Sequence, residues 1–349
     1  MQTINIEQIV QTDPVYVEKK KLNFIDRFFL PLMNDKRDLP FIYLSLKISF
    51  TIIPAAVAIF LIPNLNFLWY AAYLVVLLAY FLGPYVLMLH NVCHRKLFKK
   101  KYSWMNNYIP WLLGIFFGQT PETYFYHHVA MHHPENNEPD DLSTTMIYQR
   151  DSKRGFFTYL GLFYATGVVS LFNYFNKKKR HKFANHVMWG EMFFFAMSIA
   201  LCFVNFKAAL TVFILPLLFV RFAMMAGNWA QHAFIDADRP EDIYGNSITC
   251  INSRYNRTCF NDGYHIGHHL RPYMHWTDMP GNFKENIALY EKNNAIVFKG
   301  IDYFYIWFLL MTKNYKKLAK QFVHIGERRD DEEIVQLLKS RTKKFSIAS

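Results

Sequence analysis

Four long apolar segments constrain this chain more than any other feature of its sequence. They cover residues 41–63, 67–89, 187–205 and 208–230, and hydrophobic residues make up 52% of the 349-residue chain. A helix rises about 1.5 Å per residue, so about 20 apolar residues cross the roughly 30 Å hydrocarbon core of a bilayer. The segments therefore predict an integral membrane protein with several passes through the bilayer.

Short turns join these segments in pairs. Residues 63–66 join the first pair and residues 205–207 join the second, which predicts two transmembrane hairpins. Lys and Arg residues crowd the opposite ends of the segments, for example at residues 95–101. The positive-inside rule makes that side cytoplasmic, and we expect both termini to lie there. The same clustering accounts for the net charge of +12, so no nucleic-acid partner is expected.

Three further apolar stretches are predicted not to cross the membrane. Residues 108–119 are too short to span and are expected to form an interfacial or half-inserted helix. Residues 155–175 contain three glycines and have basic residues at both ends, which favours a position in the cytoplasmic interface. Residues 295–311 include Lys299 and Asp302, so we expect a helix that lies on the surface.

The predicted fold is an all-α integral membrane protein. It has four transmembrane helices in two hairpins, interfacial helices, and a cytoplasmic histidine-rich cap. We expect a cytoplasmic N-terminal tail over residues 1–40 and a membrane and catalytic domain over residues 41–292. An interfacial helix and a charged, helical C-terminal tail follow over residues 293–349.

Four histidine-rich stretches border the apolar segments. They read His90-x-x-x-His94, His128-x-x-x-His132-His133, Asn228-x-x-x-His232 and His265-x-x-His268-His269. Residues i and i+4 of a helix share a face, which predicts that histidines four residues apart in one box face the same way. The pairs are His90 with His94, His128 with His132, and His265 with His269, while His268 joins the face of His265 and His133 turns towards a neighbouring metal. Nine imidazoles exceed the needs of one ion with four to six ligands, so two metal ions are predicted.

Other polar residues near the boxes are candidates to support the metal ligands. Carboxylates and amides commonly orient ligating imidazoles, and the candidates are Glu135, Asp141, Asn261 and Asp262. Asn228 lies one turn before His232, where it could bind a metal or form an interhelical hydrogen bond. We expect no catalytic residue beyond the metal ligands themselves.

Two charged residues lie inside the last pair of apolar segments. Glu191 and Arg221 could be functional, because ionisable groups in membrane spans often are. Mutual pairing or snorkelling is the interpretation that we favour. The four cysteines form no C-x-x-C pair, so a disulfide framework is not expected.

The order H-x-x-x-H, H-x-x-x-H-H and H-x-x-H-H, with two apolar hairpins, resembles the membrane fatty acid desaturase family over roughly residues 40–290. The resemblance implies two iron ions bound by the nine boxed histidines, with Asn228 completing the ligand shell. It also implies dioxygen as co-substrate and a cis double bond inserted into a fatty acyl chain carried by a lipid, coenzyme A or a carrier protein. The His-Pro-Gly-Gly motif of a fused haem domain is missing, so we expect a separate ferredoxin or cytochrome b5 as electron donor.

Two alternatives remain open from the sequence. A hydroxylase or ketolase could use the same di-iron scaffold, and no residue of the chain decides between these outcomes. A non-enzymatic membrane metal transporter or sensor is an alternative of another class. Transport would favour ionisable residues along the spans towards the far side, whereas these histidines crowd one face.

Overall fold

Helices account for nearly all the regular structure of residues 11–345, the part of the chain that the computed structural model describes. The helices of the first half are α1 (Phe24–Phe29), α2 (Leu39–Leu61), α3 (Phe67–Val75), α4 (Leu82–His94), α5 (Gly114–Phe116), α6 (Thr123–His127) and α7 (His133–Glu135). The second half contains α8 (Lys153–Lys177), α9 (His181–Val204), α10 (Phe206–Ala209), α11 (Leu215–Gln231), α12 (Ile243–Asn246), β1 (Ile248–Ile251), α13 (Arg254–Thr258), α14 (His265–Leu270), α15 (Met279–Glu285), α16 (Ile287–Lys292), β2 (Ile296–Lys299), α17 (Tyr303–Met311), α18 (Tyr315–Ala319) and α19 (Asp331–Ser340).

Several of these helices continue through wider or tighter turns. The π-helical segments are Val76–Phe81, Tyr108–Leu113, His128–His132 and Leu210–Ile214. The 3-10 segments are Leu30–Leu32, Lys36–Asp38, Lys100–Asn107 and Trp276–Asp278. Two of the π-helical segments, Val76–Phe81 and Leu210–Ile214, join α3 to α4 and α10 to α11, so each pair forms one long helix.

Five helical segments of the described chain are long and apolar enough to cross a membrane. They are Lys36–Leu61, Phe67–His94, Lys153–Lys177, His181–Val204 and Phe206–Gln231. Four of them coincide with the predicted spans. The fifth is α8, which covers the stretch predicted to lie in the interface, and its 25 residues are also enough to cross. Length alone therefore does not select four spans over five.

The described chain forms two compact units, each built from separate stretches of sequence. The N-terminal unit contains residues 17–130 and 168–222. The C-terminal unit contains residues 131–167 and 223–345, together with residues 11–16. This division differs in kind from the three sequential regions expected from the sequence, which remain a prediction.

Asparagine side chains define both hairpin turns of the N-terminal unit. Asn64 adopts a positive φ of 56°, in the left-handed region that asparagine tolerates. Asn66 then caps the Phe67–His94 helix by accepting a hydrogen bond from the Leu68 N–H at 3.0 Å. Asn205 ends α9 through its own N–H and caps α10 by accepting from the Ala208 N–H at 3.1 Å. Each turn therefore reverses the chain within a few residues.

The C-terminal unit contains strands, which the all-α prediction missed. β1 and β2 pair in parallel, with Ile248 opposite Ile296 and Ile251 opposite Lys299. Val323 donates its N–H to the Val297 carbonyl at 2.8 Å on the other edge of β2. The helix predicted over residues 295–311 is therefore wrong in its first part, because the buried residues 296–298 form the strand. Only α17 is helical in this stretch, while α19 confirms the predicted helical tail.

An apolar core in the C-terminal unit holds the last histidine box. Ile266 lies on α14 and is fully buried, and it packs with Tyr264, Phe283 and Tyr290. Ile266 anchors α14 in this core, and His265, His268 and His269 on the same short helix are buried as well.

The structure describes residues 11–40 of the N-terminal tail predicted over residues 1–40. Residues 1–10 lie outside the described residues, as do residues 346–349 of the C-terminal tail. Asn23 and Asp26 form a reciprocal capping box at the start of α1. Residues 11–13 contact the C-terminal unit, to which they belong.

Candidate metal centre

Three imidazoles come together in the N-terminal unit. His90 and His94 lie on the last turns of α4, and His128 begins the π-helical segment that follows α6. The ring centroids of His90 and His128 are 4.5 Å apart, and those of His94 and His128 are 5.2 Å apart. The centroids of His90 and His94 are 5.3 Å apart. We call this group the three-histidine cluster.

Four imidazoles come together in the C-terminal unit, from three separate parts of the chain. This four-histidine cluster consists of His132, His232, His265 and His269, all of them buried. One ligand atom from each lies within 4.8 Å of all the others. The Nε2 atom of His265 is 3.1 Å from that of His232 and 3.0 Å from that of His269.

A buried carboxylate orients His132. Asp141 places Oδ2 2.7 Å from the Nδ1 atom of His132, and the Ser143 hydroxyl and N–H donate to the other carboxylate oxygen at 2.6 and 2.7 Å. Burial by itself would raise the pKa of Asp141, but His132 and the bonds from Ser143 hold this pKa below its ordinary value. A carboxylate can only accept, so Nδ1 of His132 carries the proton and Nε2 presents a lone pair.

A backbone carbonyl orients His232 in the same way. The Nδ1 atom of His232 lies 2.9 Å from the carbonyl oxygen of Asn246 and 3.0 Å from its side-chain oxygen. Asn246 is itself held in place, because its amide donates to the carbonyls of Asn136 and Pro240 at 2.9 and 3.1 Å. The Nε2 lone pair of His232 therefore faces the cluster.

The donor set fits a bound metal ion. A metal with four or six nitrogen ligands at about 2.1 Å brings neighbouring nitrogens to about 3.0–3.4 Å, the range found between these Nε2 atoms. Burial, followed by the neighbouring His132, lowers the pKa of His232 to about 4. Burial, followed by the neighbouring His265, lowers the pKa of His269 well below its ordinary value. Neutral imidazole is the form that binds metals, and facing lone pairs at such distances are stabilised by a shared cation.

Comparisons with known proteins agree with this chemistry. The model of the fatty acid desaturase family matches residues 67–300, which is more than half of the chain. The chain belongs to the fatty acid desaturase family. Searches of curated proteins and of solved structures return no match. Family membership together with the long apolar helices indicates a membrane protein of the oxidoreductase class.

The π-helical segment of this desaturase-family protein separates two histidines that the spacing had placed together. His132 belongs to the four-histidine cluster, whereas His128 belongs to the three-histidine cluster. The i, i+4 rule holds for an α-helix, but residues 128–132 form a segment whose hydrogen bonds run from i to i+5. The wider turn therefore changes which side chains share a face.

The last histidine box also divides differently from the prediction. His265 and His269 are partners in the four-histidine cluster, but the Nε2 atom of His268 lies 2.9 Å from that of His133. The ring centroids of His265 and His268 are 6.1 Å apart, compared with 4.4 Å for His265 and His269. Adjacent residues in a helix point about 100° apart, so His269 faces the four-histidine cluster while His268 faces His133.

The remaining predicted residues have various partners. Asn228 donates its amide to the Ser143 carbonyl at 2.9 Å and to the Tyr159 hydroxyl at 2.8 Å. Asn261 donates to the carbonyls of Pro14 and Trp276, both at 2.8 Å. Asp262 accepts from the Tyr255 hydroxyl at 2.6 Å, and Glu135 ends the short helix that begins with His133. Asp141, in contrast, bonds directly to the imidazole of His132.

Sequence reasoning missed Asn246 and Ser143. Asn246 follows His232 by 14 residues, in the connecting segment that ends in α12. No periodic pattern links the two positions. Ser143 lies two residues after Asp141, where a hydroxyl that stabilises its carboxylate is a common short-range arrangement. That spacing was the one signal that could have found it.

Proposed function

We propose that this protein is an oxygen-dependent fatty acyl desaturase that inserts a cis double bond with the help of two iron ions. The observation that supports this most directly is the four-histidine cluster, whose four imidazoles are buried and in which His132 and His232 are oriented through Nδ1. It occurs in a chain that belongs to the fatty acid desaturase family.

The four-histidine cluster is proposed to hold one ion. The other five boxed histidines are proposed as ligands of the second ion, on the strength of their sequence boxes, with Asn228 as an additional ligand. In this role His90, His94 and His128 act together, as do His133 and His268. When bound, the iron ions would activate dioxygen and remove two hydrogens from neighbouring methylene carbons of the acyl chain.

The protein's own residues have the task of holding the ligands and excluding competing reactions. Asp141 and Asn246 keep the Nδ1 protons of His132 and His232 in place, so that both rings keep Nε2 turned inwards. The cluster imidazoles are between 0% and 8% exposed, which keeps bulk water away from the site. Such shielding suits the oxidation of an unactivated hydrocarbon.

The cluster also bears on the number of membrane spans. Between His132 and His232 the chain passes through three helices long enough to cross, namely α8, α9 and the α10–α11 helix. The two ring centroids are 5.3 Å apart, so the chain must cross an even number of times between them. The residues that link α8 to α9 are basic (177–180), which favours the cytoplasmic side for that link. We therefore propose four spans, with α8 in the interface and with the metal centre and both termini in the cytoplasm.

The proposed partners follow from the reaction. Removing two hydrogens with dioxygen requires two further electrons, and we propose that a separate ferredoxin or cytochrome b5 supplies them. The substrate is a fatty acyl chain attached to a lipid, coenzyme A or a carrier protein. The surrounding membrane lipid is the natural source or solvent of such a chain.

The test is expression of the full chain together with a ferredoxin or cytochrome b5 reductase system, followed by mass spectrometry of total fatty acids. The matched variants are His269→Ala, which removes a cluster imidazole, and His275→Ala. His275 is equally buried, but its Nδ1 atom is bonded to Thr277 outside the cluster. We expect new unsaturated species with the wild type and His275→Ala, and none with His269→Ala.

Each other result has a clear meaning. Products heavier by one oxygen would identify hydroxylation on the same scaffold and overturn desaturation. Metal exchange with no oxygen consumption and no new lipid product would support a transporter. New unsaturated species that persist in His269→Ala would show that the four-histidine cluster is not the site of the reaction.

A further inference from the structure

A buried carboxylate near the N-terminus contacts the loop that leads into the last histidine box. Asp13 is 5% exposed, and its Oδ2 atom accepts three hydrogen bonds. The donors are the Asn252 N–H at 2.7 Å, the Asn256 amide at 2.9 Å and the Tyr264 hydroxyl at 2.6 Å. These three donors lie on the segment of residues 252–264, which contains the short helix α13 and is called the 252–264 loop below.

The two residues before Asp13 contact the same loop. Thr12 donates its N–H and its hydroxyl to the Asn252 side-chain oxygen at 2.7 and 3.2 Å. The amide of Gln11 donates to the Tyr264 hydroxyl. Residues 11–13 therefore form a strap that is joined to the loop across about 240–250 positions of sequence.

The loop itself has little freedom once the strap is in place. Asn256 accepts from the Gly263 N–H at 2.9 Å and donates to the Cys250 carbonyl at 2.9 Å. A Cβ atom at Gly263 would lie 2.3 Å from that carbonyl, so the two ends of the loop are in tight contact. Tyr264 is the next residue, and His265 follows it directly.

The helix that carries the box depends on such tertiary contacts. α14 has six residues, and its N-cap residue Tyr264 forms no side-chain capping bond. A helix of that length is not stable by itself. Ile266 packs on one side of α14, and the bond that the Tyr264 hydroxyl donates to Asp13 fixes the end of the helix that begins with His265. Bonds to a charged acceptor are about twice as strong as neutral ones.

We propose that Asp13 is a positioning residue for the metal centre. Its carboxylate fixes the 252–264 loop and Tyr264, so that α14 presents His265 and His269 to His232. The inference rests on the proposed function in so far as the four-histidine cluster binds a metal ion. The N-terminal strap thus helps to build that cluster, although the strap contains no metal ligand.

The experiment compares three variants of the full-length protein in lipid nanodiscs: Asp13→Ala, Asp13→Asn and Asp26→Ala. Asp26 is a matched control, because its carboxylate is also buried near the N-terminus and accepts bonds from Lys19, Tyr43 and the Asn23 N–H. Asp26 and these three partners all belong to the N-terminal unit. Each protein is stripped with a chelator and titrated with Co²⁺, and the iron content of untreated protein is measured by mass spectrometry.

We expect Asp13→Ala to weaken Co²⁺ binding by about tenfold and to change the ligand-field spectrum. A tenfold effect is at the lower end of what is found when a residue that supports a metal ligand is removed. Asp13→Asn should weaken binding less, because its amide oxygen still accepts without a charge. Asp26→Ala should bind Co²⁺ as the wild type does, even if its thermal stability is reduced.

The outcomes separate this inference from the proposed function. A wild type that binds neither Co²⁺ nor iron overturns the metal centre itself. Equal binding by the wild type and Asp13→Ala overturns the role of Asp13 and leaves the centre intact. Equal losses in Asp13→Ala and Asp26→Ala would reveal a general stability effect and also overturn the inference. If Asp13→Ala does not accumulate, Tyr264→Phe removes the same contact, and unchanged Co²⁺ binding by that variant counts against the proposal.

Discussion

Asp141 and His132 form a buried carboxylate–imidazole pair, with Oδ2 and Nδ1 2.7 Å apart. Removing the carboxylate as Asp141→Ala should lower iron content and weaken metal binding about 10- to 100-fold, because the imidazole loses the group that fixes its tautomer and orientation. Metal analysis of purified protein measures this. Asp140→Ala is the control, since Asp140 is exposed one residue earlier. Unchanged iron in Asp141→Ala would mean that His132 needs no orienting partner.

Asn246 supports His232 with two different oxygens, and this predicts a smaller effect. Asn246→Ala removes the side-chain oxygen at 3.0 Å but keeps the backbone carbonyl at 2.9 Å. The Nδ1 proton therefore retains an acceptor, and we expect metal binding to weaken by a factor of about three to ten, less than for Asp141→Ala. Competition with a coloured chelator measures the affinity of both variants side by side. A larger loss in Asn246→Ala than in Asp141→Ala would contradict this order.

The boxes themselves could be predicted from sequence because helical periodicity is local. Histidines one turn apart bordering a long apolar segment are visible without any tertiary information. The sequence does not show which histidines share a cluster. His128 and His132 lie at the two ends of a π-helical segment, and His268 and His269 point about 100° apart on their helix. Wide turns of this kind carry no sequence pattern that the periodicity argument uses.

The supporting residues show the same limit. Asp141 was found because it follows the second box by a few residues and is acidic. Asn261 and Asp262 are closer to the third box in sequence, yet their side chains bond to Pro14, Trp276 and Tyr255. Proximity in sequence makes a contact more common, but the backbone turns of a folded loop determine where each side chain points. The strap formed by residues 11–13 lies beyond any such reasoning, because its partners are some 240 positions away.

Arg150, like the strap of residues 11–13, has a structural role that the sequence does not predict. Its side chain is fully buried, and it donates to six carbonyl oxygens, those of Thr145, Met146, Tyr148, Ala233, Arg341 and Lys343. Burial lowers the pKa of Arg150 to about 9, which the surrounding carbonyls make tolerable. The side chain thereby joins residues 341–343 to the residue after His232.

Replacing this side chain with an apolar one of similar length should destabilise the protein strongly. Arg150→Met leaves buried carbonyls without a donor, at a cost of about 3 kcal/mol or more. We expect a thermal transition lower by at least about 5 °C in detergent. Arg154→Met is the matched control, because Arg154 is exposed. If Arg150→Met and Arg154→Met unfold at the same temperature, the hydrogen bonds from Arg150 to the carbonyls contribute little to stability.

Glu191 and Arg221 form an ion pair between α9 and α11, with Arg221 donating to both carboxylate oxygens at 3.1 and 3.0 Å. Thr120 and Thr123 also donate to Glu191, at 2.6 and 2.9 Å. Glu191→Leu alone should destabilise the protein by about 3–5 kcal/mol, because it leaves Arg221 uncompensated within a long apolar helix. The double variant Glu191→Leu with Arg221→Leu should recover most of that loss and retain its iron. Thermal melting and metal analysis of the wild type, Glu191→Leu and the double variant test this. A double variant that is stable but cannot hold iron or form product would show that the ion pair has a functional role and not only a structural one.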